Sequence, residues 1–472
     1  MTSVDAQNTP ASRRRFLKAA AGGIAAFHIV PRHVLGGRGF VPPSETVNVA
    51  IVGAGGRGHQ NARDLMKLDD VRITCIADPA ETWDMQNFYY KSAAGRKPVH
   101  AEIEKHYAEK LSGFRCKEYV DYRRMLDEDN SLDAILCATP DHLHANVSLA
   151  AMRLGKHIYC EKPLTHNVAE ARLVARVAKE TGVATQMGNQ GHSNEGIRQT
   201  VEWIHAGAIG TVKHVHAWVP ATRWIVTQPG AKPEPQPVPA GLNWDLWLGP
   251  RADRPFHSSY APVAWRDHWD FGCGAMGDFG CHDLDSACWA LNLDSPTSIE
   301  MHPAGHMTEQ LAPYGEIGYF EFAANGDRPA VNITWYSGGL QPKHPEQLPL
   351  GTSLPGRGVM FEGERGILVC KGAGGDVQLY PKSRDEEFQR PEATIPRSPG
   401  HHREWIDAIK GGPQCASNFE YGARLTEITL LGVASLRTRK RIEFDSATMT
   451  AKGLPELDPI FHGTYRPGWE LG

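Results

Sequence analysis

The chain has 472 residues, 41% of them hydrophobic and 22% charged, with a formal net charge of −4. At roughly 150 residues per domain that length predicts two or three domains, and the near-balanced charge supplies no basic field of the kind that draws a protein onto nucleic acid. Small-molecule chemistry is the expectation, and the nine cysteines between Cys75 and Cys415, with no C-x-x-C pair or metal-type spacing, read as mostly reduced thiols.

At the N-terminus, Ser12-Arg13-Arg14-Arg15-Phe16-Leu17-Lys18 precedes a small, apolar run over 19–30. The pattern looks like a twin-arginine export signal. Its apolar run ends at Pro31 and Arg32, short of the roughly 20 residues a membrane span needs. The expectation is a periplasmic or secreted protein, delivered folded by the twin-arginine export machinery, with the signal either cleaved or kept as an anchor. A basic tail before a short buried helix is the alternative. Gly36, Gly37, Gly39, Pro42 and Pro43 then mark a linker, so residues 1–46 form signal and linker.

From Val47 onward, short apolar runs alternate with helix-like segments: Val47–Val52, Val71–Ala77, 132–138, His157–Cys160 and 184–187. This alternation predicts an α/β domain over 47–185, a doubly wound parallel sheet covered on both faces. The long polar stretch 81–111 reads as an insertion with a helix at 101–111. Residues 186–472 change character. Alternating or β-rich stretches at 212–219, 318–322, 331–335, 359–361 and 367–370 predict a second, α+β domain on an open, largely antiparallel or mixed sheet. A proline-rich loop covers 227–241, and helices are expected at 402–410 and 421–437.

The loop Gly53-Ala54-Gly55-Gly56-Arg57-Gly58 follows the first strand and opens a helix, so its backbone can approach a pyrophosphate while helix amides face the anion. Asp78 closes the second strand twenty residues after Gly58, where a carboxylate accepts hydrogen bonds from ribose hydroxyls and repels a 2′-phosphate. The expected cofactor is NAD, with NADP less favoured, although Arg57 works against that preference. A glycine turn beside a chance aspartate in another α/β sheet is the alternative. Later strand ends carry Thr139-Pro140-Asp141-His142-Leu143-His144 and Glu161-Lys162-Pro163, and strand ends in such a sheet face the cofactor crevice. Thr139, Pro140, His144, Glu161 and, at the sixth strand end, Asn189 are therefore candidate cofactor contacts. Lys162 is placed to hydrogen-bond a substrate hydroxyl, or else to make an ordinary ion pair with Glu161.

Together these motifs resemble the Gfo/Idh/MocA oxidoreductase family, and the resemblance runs from about residue 47 to the C-terminus. It implies that Lys162 is the catalytic lysine of an E-K-P motif, with a peptide bond to Pro163 that is often cis. It also implies a second signature, met here by Gly272-Cys273-Gly274-Ala275-Met276-Gly277-Asp278 with His282 four residues on. On a helix, Asp278, His282 and Asp285 would share one face, letting Asp278 orient His282 to accept a hydroxyl proton. A solvated polar face and a divalent metal site are the other readings of that spacing, and no metal is expected. Arg266 and His268, just before the glycine turn, are weaker substrate candidates.

The resemblance further implies oxidation or reduction of a hydroxyl on a sugar, sugar derivative or polyol, and self-association into a homo-oligomer. Beyond the inner membrane no freely exchanging NAD pool is expected, so the cofactor would be tightly bound and restored within each cycle. Transient oxidation followed by elimination and water addition, a net glycoside hydrolysis, is a second route. A protein that keeps NAD without turnover is a third.

Overall fold

The computed structural model describes residues 42–225 and 233–472. Arg13, Arg14 and the rest of the expected export signal lie outside the described residues, as does the 227–232 part of the proline-rich loop. Before Val47, Pro43–Glu45 make one 3₁₀ turn. Residues Val47–Gly472 form one compact unit built on two sheets.

In the first sheet the chain lays down β1 (Val47–Val52) and β2 (Val71–Ala77), then a small hairpin of β3 (Trp83–Asp84) and β4 (Ala93–Ala94). It continues with β5 (Lys117–Tyr119), β6 (Ala134–Cys137), β7 (His157–Cys160) and β8 (Thr185–Met187). Six of these pair in the order β5-β2-β1-β6-β7-β8, all parallel. Every residue of β6 is buried, as a parallel strand covered on both faces requires. The strand order reverses between β1 and β6, and a crevice opens there at their carboxyl ends. Helices α1 (Gly56–Leu65), α2 (Arg96–Ala108), α3 (His144–Arg153) and α4 (Val168–Thr181) accompany this sheet. Helix α2 begins at Arg96 rather than at 101. Gly95, at φ +98°, supplies its N-terminal turn, and Pro98 sits in the first turn, where its missing N–H loses no bond.

The second sheet contains β9 (Val212–Trp218), β10 (Ser298–Ala304), β11 (Gly315–Phe322), β12 (Val331–Tyr336), β13 (Gly358–Gly363) and β14 (Gly366–Lys371). Three short strands complete it: β15 (Val377–Tyr380), β16 (Ile442–Asp445) and β17 (Thr450–Ala451). The order is β15-β14-β13-β9-β12-β11-β10-β16-β17, mixed because β9 and β12 run parallel while the other neighbours are antiparallel. Helices in this part of the chain include α5 (Glu195–His205), α6 (Gly274–Asp283), α7 (Asp285–Ala290), α8 (His401–Ile409) and α9 (Phe419–Thr438); α8 packs back on the first sheet, its Trp405 and Ile406 sharing a core cluster with Val49, Ile51 and Tyr159.

Helix α9 couples the two layers. The Asn418 side chain caps it by accepting the N–H groups of Glu420 and Tyr421. It packs on α4, α6 and β10, burying Leu425, Ile428, Leu431 and Leu436. Truncating Leu431 to alanine would cost about 2–5 kcal/mol, because close packing leaves a cavity that cannot collapse. One continuous apolar cluster includes Cys137 and Met187 of the first sheet and Phe320 and Trp335 of the second. Helix α6 is thereby held against the crevice. Among the described residues, no helix is long and apolar enough to cross a membrane.

Candidate active site

A cavity of about 420 Å³ opens at the crevice, with the glycine loop, the β6 and β7 ends and α6 in its wall. The glycine loop is shaped by close approach. Gly53 stands at φ +87°, and a Cβ there would fall 2.7 Å from the carbonyl carbon of Ala138 and the nitrogen of Thr139. A Cβ on Gly58 would fall 1.9 Å from the Gly53 carbonyl oxygen. No side chain other than glycine can bring α1 this near the strand end.

The loop fits a dinucleotide. Gly55 precedes α1 with no side-chain cap, and a Cβ placed on it would meet no atom closer than Met85 Cε at 3.8 Å. The loop is therefore open beside Gly55, where a pyrophosphate would approach, while Tyr90 covers Gly56. The Asp78 carboxylate accepts the amides of Ala54 at 2.6 Å and Ala80 at 2.8 Å, so each oxygen keeps a lone pair for a ribose hydroxyl. Burial raises its carboxyl to about 6 against those bonds. Arg57 donates to Glu161 at 2.9 Å and to Gln60 at 3.2 Å. Its charge is spent there, which removes the cation that would have welcomed a 2′-phosphate.

Glu161 acts as a brace. Its Oε1 also accepts Asn61 at 2.9 Å and Gln190 at 3.0 Å, and despite burial Arg57 holds its carboxyl down at about 2. His144 joins the two strand ends, its ring nitrogens 2.7 Å from the Pro163 carbonyl oxygen and 2.9 Å from that of Thr139. Cys137, His144 and Cys160 bring three potential metal ligands together, but both ring nitrogens of His144 already face carbonyls.

Lys162, whose bond to Pro163 is cis, reaches across to α6. Its Nζ donates to the Asp278 carbonyl at 2.9 Å and also to the Asp278 carboxylate, which pairs on its other oxygen with Arg266 Nε at 3.5 Å. Burial opposes ionisation of Asp278, but Lys162 and Arg266 override it and hold the carboxyl well below its usual range. Two cations on one carboxylate also work against a metal there. His282 lies one turn further along α6 and lines the same cavity. Burial, then the charges of Lys162 and Arg357, push its imidazole far below its ordinary value, so it stands neutral. Its Nδ1 is buried with no hydrogen-bond partner among the described residues. No bond from Asp278 orients it; the two share the wall as neighbours.

Gly53, Gly55, Gly56, Arg57, Asp78, Thr139, Pro140, His144, Glu161, Lys162, Arg266, Asp278 and His282 all line the cavity. Gly58 acts beneath it, and three other candidates lie elsewhere. The helix breaks at Leu284, so Asp285 leaves the face of Asp278 and His282. Its carboxylate meets His192 Nδ1 at 2.9 Å and Asn189 Nδ2 at 2.9 Å, with Tyr421 donating as well. Asn189 is fully buried and takes a second bond from Ser417. His268 is buried against Tyr260, its Nε2 3.2 Å from the Ser259 carbonyl.

Spacing alone did not reveal the outer wall. Tyr89 and Tyr90 arrive from the 81–111 insertion, and Tyr89 stacks on Trp224 with ring centres 5.8 Å apart. Trp224 is placed by Asp267, whose carboxylate accepts its backbone amide at 2.8 Å. Arg266 lies over the Trp265 ring at 4.1 Å. Tyr90 packs on Gly56 so closely that a Cβ there would fall 2.2 Å from its ring. Arg357 reaches the wall from just before β13 and pairs with Asp283 at 2.7 Å. Asp141 is the remaining acid of the wall.

Comparison with known proteins adds two family matches: an oxidoreductase family, NAD-binding Rossmann fold, over residues 47–189, and an oxidoreductase family, C-terminal alpha/beta domain, over residues 203–324. Together they span more than half of the chain. A 1,5-anhydro-D-fructose reductase of Ensifer adhaerens is 25% identical over 258 residues, which is 53% of this chain and 65% of the relative. A 2,7-anhydro-N-acetylneuraminate hydratase of Mediterraneibacter gnavus is 25% identical over 173 residues, covering 37% of this chain and 39% of the relative. The match thus spans less than two thirds of either relative's length. Among solved structures, the WlbA dehydrogenase of Bordetella pertussis, in complex with NADH and UDP-GlcNAcA, superposes with a TM-score of 0.56 at 16% identity, covering 85% of this chain and 99% of that one. At that identity the likeness is one of fold.

Proposed function

The chain belongs to the Gfo/Idh/MocA oxidoreductase family, and from that premise we propose that it oxidises or reduces a hydroxyl-bearing carbon of a sugar, sugar derivative or polyol, with NAD retained between turnovers. One observation carries the reading. Lys162, anchored by Asp278, and a neutral His282 face one cavity at the mouth of the dinucleotide crevice.

The glycine loop and the first turn of α1 would hold the pyrophosphate, and Asp78 the adenosine ribose. Bound NAD supplies the two-electron acceptor. Lys162 spends two of its three N–H groups on Asp278 and keeps one for a substrate oxygen, where its charge favours the developing alkoxide. His282 is neutral and can accept a hydrogen bond from the substrate hydroxyl. Asp278 holds the lysine in place. Retention is supported by the segment over the glycine loop: Tyr90 packs on Gly56, and the Gly95 amide donates to the Ala54 carbonyl at 2.7 Å.

A second reading, net addition of water through transient oxidation, draws support from the hydratase among the relatives. The test of the primary reading is direct. Nucleotide released by denaturing the purified protein is identified, and fresh protein is incubated with a panel of hexoses, inositols and glycosides. NAD in the extract and sugar-dependent absorbance at 340 nm are expected. No nucleotide, and no affinity for added NAD, would remove the reading.

A further inference from the structure

The cavity wall holds more acid than hydroxyl oxidation uses. Glu161 is bound by Arg57, Asp78 by backbone amides, and Asp278 by Lys162 and Arg266. The remaining carboxyl, Asp141, opens the 3₁₀ turn after β6, is 3% exposed, and forms no ion pair among the described residues. Both cations within reach, Lys162 and Arg266, are already committed to Asp278.

We propose that Asp141 is a second catalytic acid of this site, which protonates an oxygen leaving the substrate carbon β to the newly formed carbonyl. The ligand class is therefore a glycoside or anhydrosugar, and the inference rests on the redox reading above. Once the hydroxyl carbon is a ketone, the adjacent C–H is acidic. A base removes that proton, the C–H electrons form a C=C bond, and the C–O bond electrons leave with the oxygen. Asp141 gives that oxygen its proton and becomes a carboxylate. In the return half, water adds to the same carbon and gives Asp141 back its proton, the base returns its proton to the neighbouring carbon, and the hydride and hydroxyl proton taken at the start go back to the ketone. The sum is glycoside plus water giving sugar plus alcohol. Burial first, and then the charge of Asp278, raise the Asp141 carboxyl to about 7, which keeps a proton available near neutral pH.

The experiment compares wild type with Asp141→Asn on matched methyl and p-nitrophenyl hexosides, following bound-cofactor absorbance at 340 nm and alcohol release separately. Asp141→Asn is expected to lose methyl glycoside cleavage about 100-fold more than it loses reduction of its bound NAD. Nitrophenol release, from a leaving group that needs little protonation, should fall far less. In wild type, methyl glycoside cleavage should decline as pH rises through about 7, and Asp141→Asn should lack that limb. Equal loss of reduction and cleavage in the variant would overturn the assignment, as would unchanged methyl glycoside cleavage, or cofactor reduction by wild type without cleavage of any glycoside. A wild type that never reduces its NAD marks failure of the redox reading itself, and the acid assignment falls with it.

Discussion

The carboxylate of Asp278 lies between two cations, in contact with Lys162 Nζ on one oxygen and 3.5 Å from Arg266 Nε on the other. The consequence is a lysine whose position is set from the opposite side of the cavity, by a helix held in place through α9.

Replacing Asp278 with asparagine leaves two partly buried cations facing one another. Breaking such a pair costs about 3–5 kcal/mol of stability, because a desolvated charge is left uncompensated. The Asp278→Asn protein should melt at lower temperature and oxidise its substrate at least about 100-fold more slowly. Calorimetry and turnover on the same preparation check both. A variant with wild-type stability and rate would show that the pair positions nothing.

The pH profile of hydroxyl oxidation should not carry the limb of an ordinary histidine. His282 is held neutral by burial, Lys162 and Arg357, so lowering the pH through about 6.5 does not protonate it. The oxidation half-reaction is expected to stay flat across that value and to be abolished in His282→Ala. A limb near 6.5 that vanishes in the variant would mean that the imidazole is far less desolvated than its surroundings imply.

Tyr90 covers Gly56, and this contact is assigned to retention of the cofactor. Tyr90→Ala should release NAD at least about tenfold faster, a loss of roughly 1.4 kcal/mol, while the glycine loop itself is unchanged. Stopped-flow displacement of bound NADH by excess NAD measures it. An unchanged release rate would separate the tyrosine from retention.

Glu316 supplies a stability test away from the cavity. It is buried on β11, accepts Trp335 Nε1 at 3.0 Å, and burial raises its carboxyl from 4.5 to about 7. Between those values the folded chain holds a proton that the unfolded chain has lost, so this group's contribution to stability falls as pH rises through the window. Relative to Glu316→Gln, wild type should lose about 3 kcal/mol between pH 4.5 and pH 7.5, read from denaturant midpoints. Parallel stability curves would show that the carboxyl is not desolvated.

Much of the first sheet was legible because most of its strands are short, largely apolar and punctuated. Val47–Val52, Val71–Ala77 and His157–Cys160 stand at the bounds their composition suggests. Strand β10 was not, since Glu300, His302 and Pro303 break its pattern, and β15 to β17 are too short to carry a period. At the site, residues tied to a backbone requirement could be read, as with Gly53 and Gly58. Residues brought in by long-range packing could not. Trp224 reaches the wall because Asp267 holds its amide, and Asp285 leaves the face of His282 because the helix breaks at Leu284. Helical spacing assumes an unbroken helix, and here that assumption failed between two residues of one motif. Asp141 sat in a motif in plain view, but its lack of a cation depends on where Lys162 and Arg266 turn.

The most direct test of the central claim is a single-turnover measurement on protein holding its own NAD. Substrate found in the sugar panel is mixed with wild type and Lys162→Met, and absorbance at 340 nm is followed. Reduction should be at least about 100-fold slower in the variant, with NAD still bound in equal amount. Equal rates in the two proteins would contradict the assignment of Lys162, and with it the account of how this cavity acts on a hydroxyl.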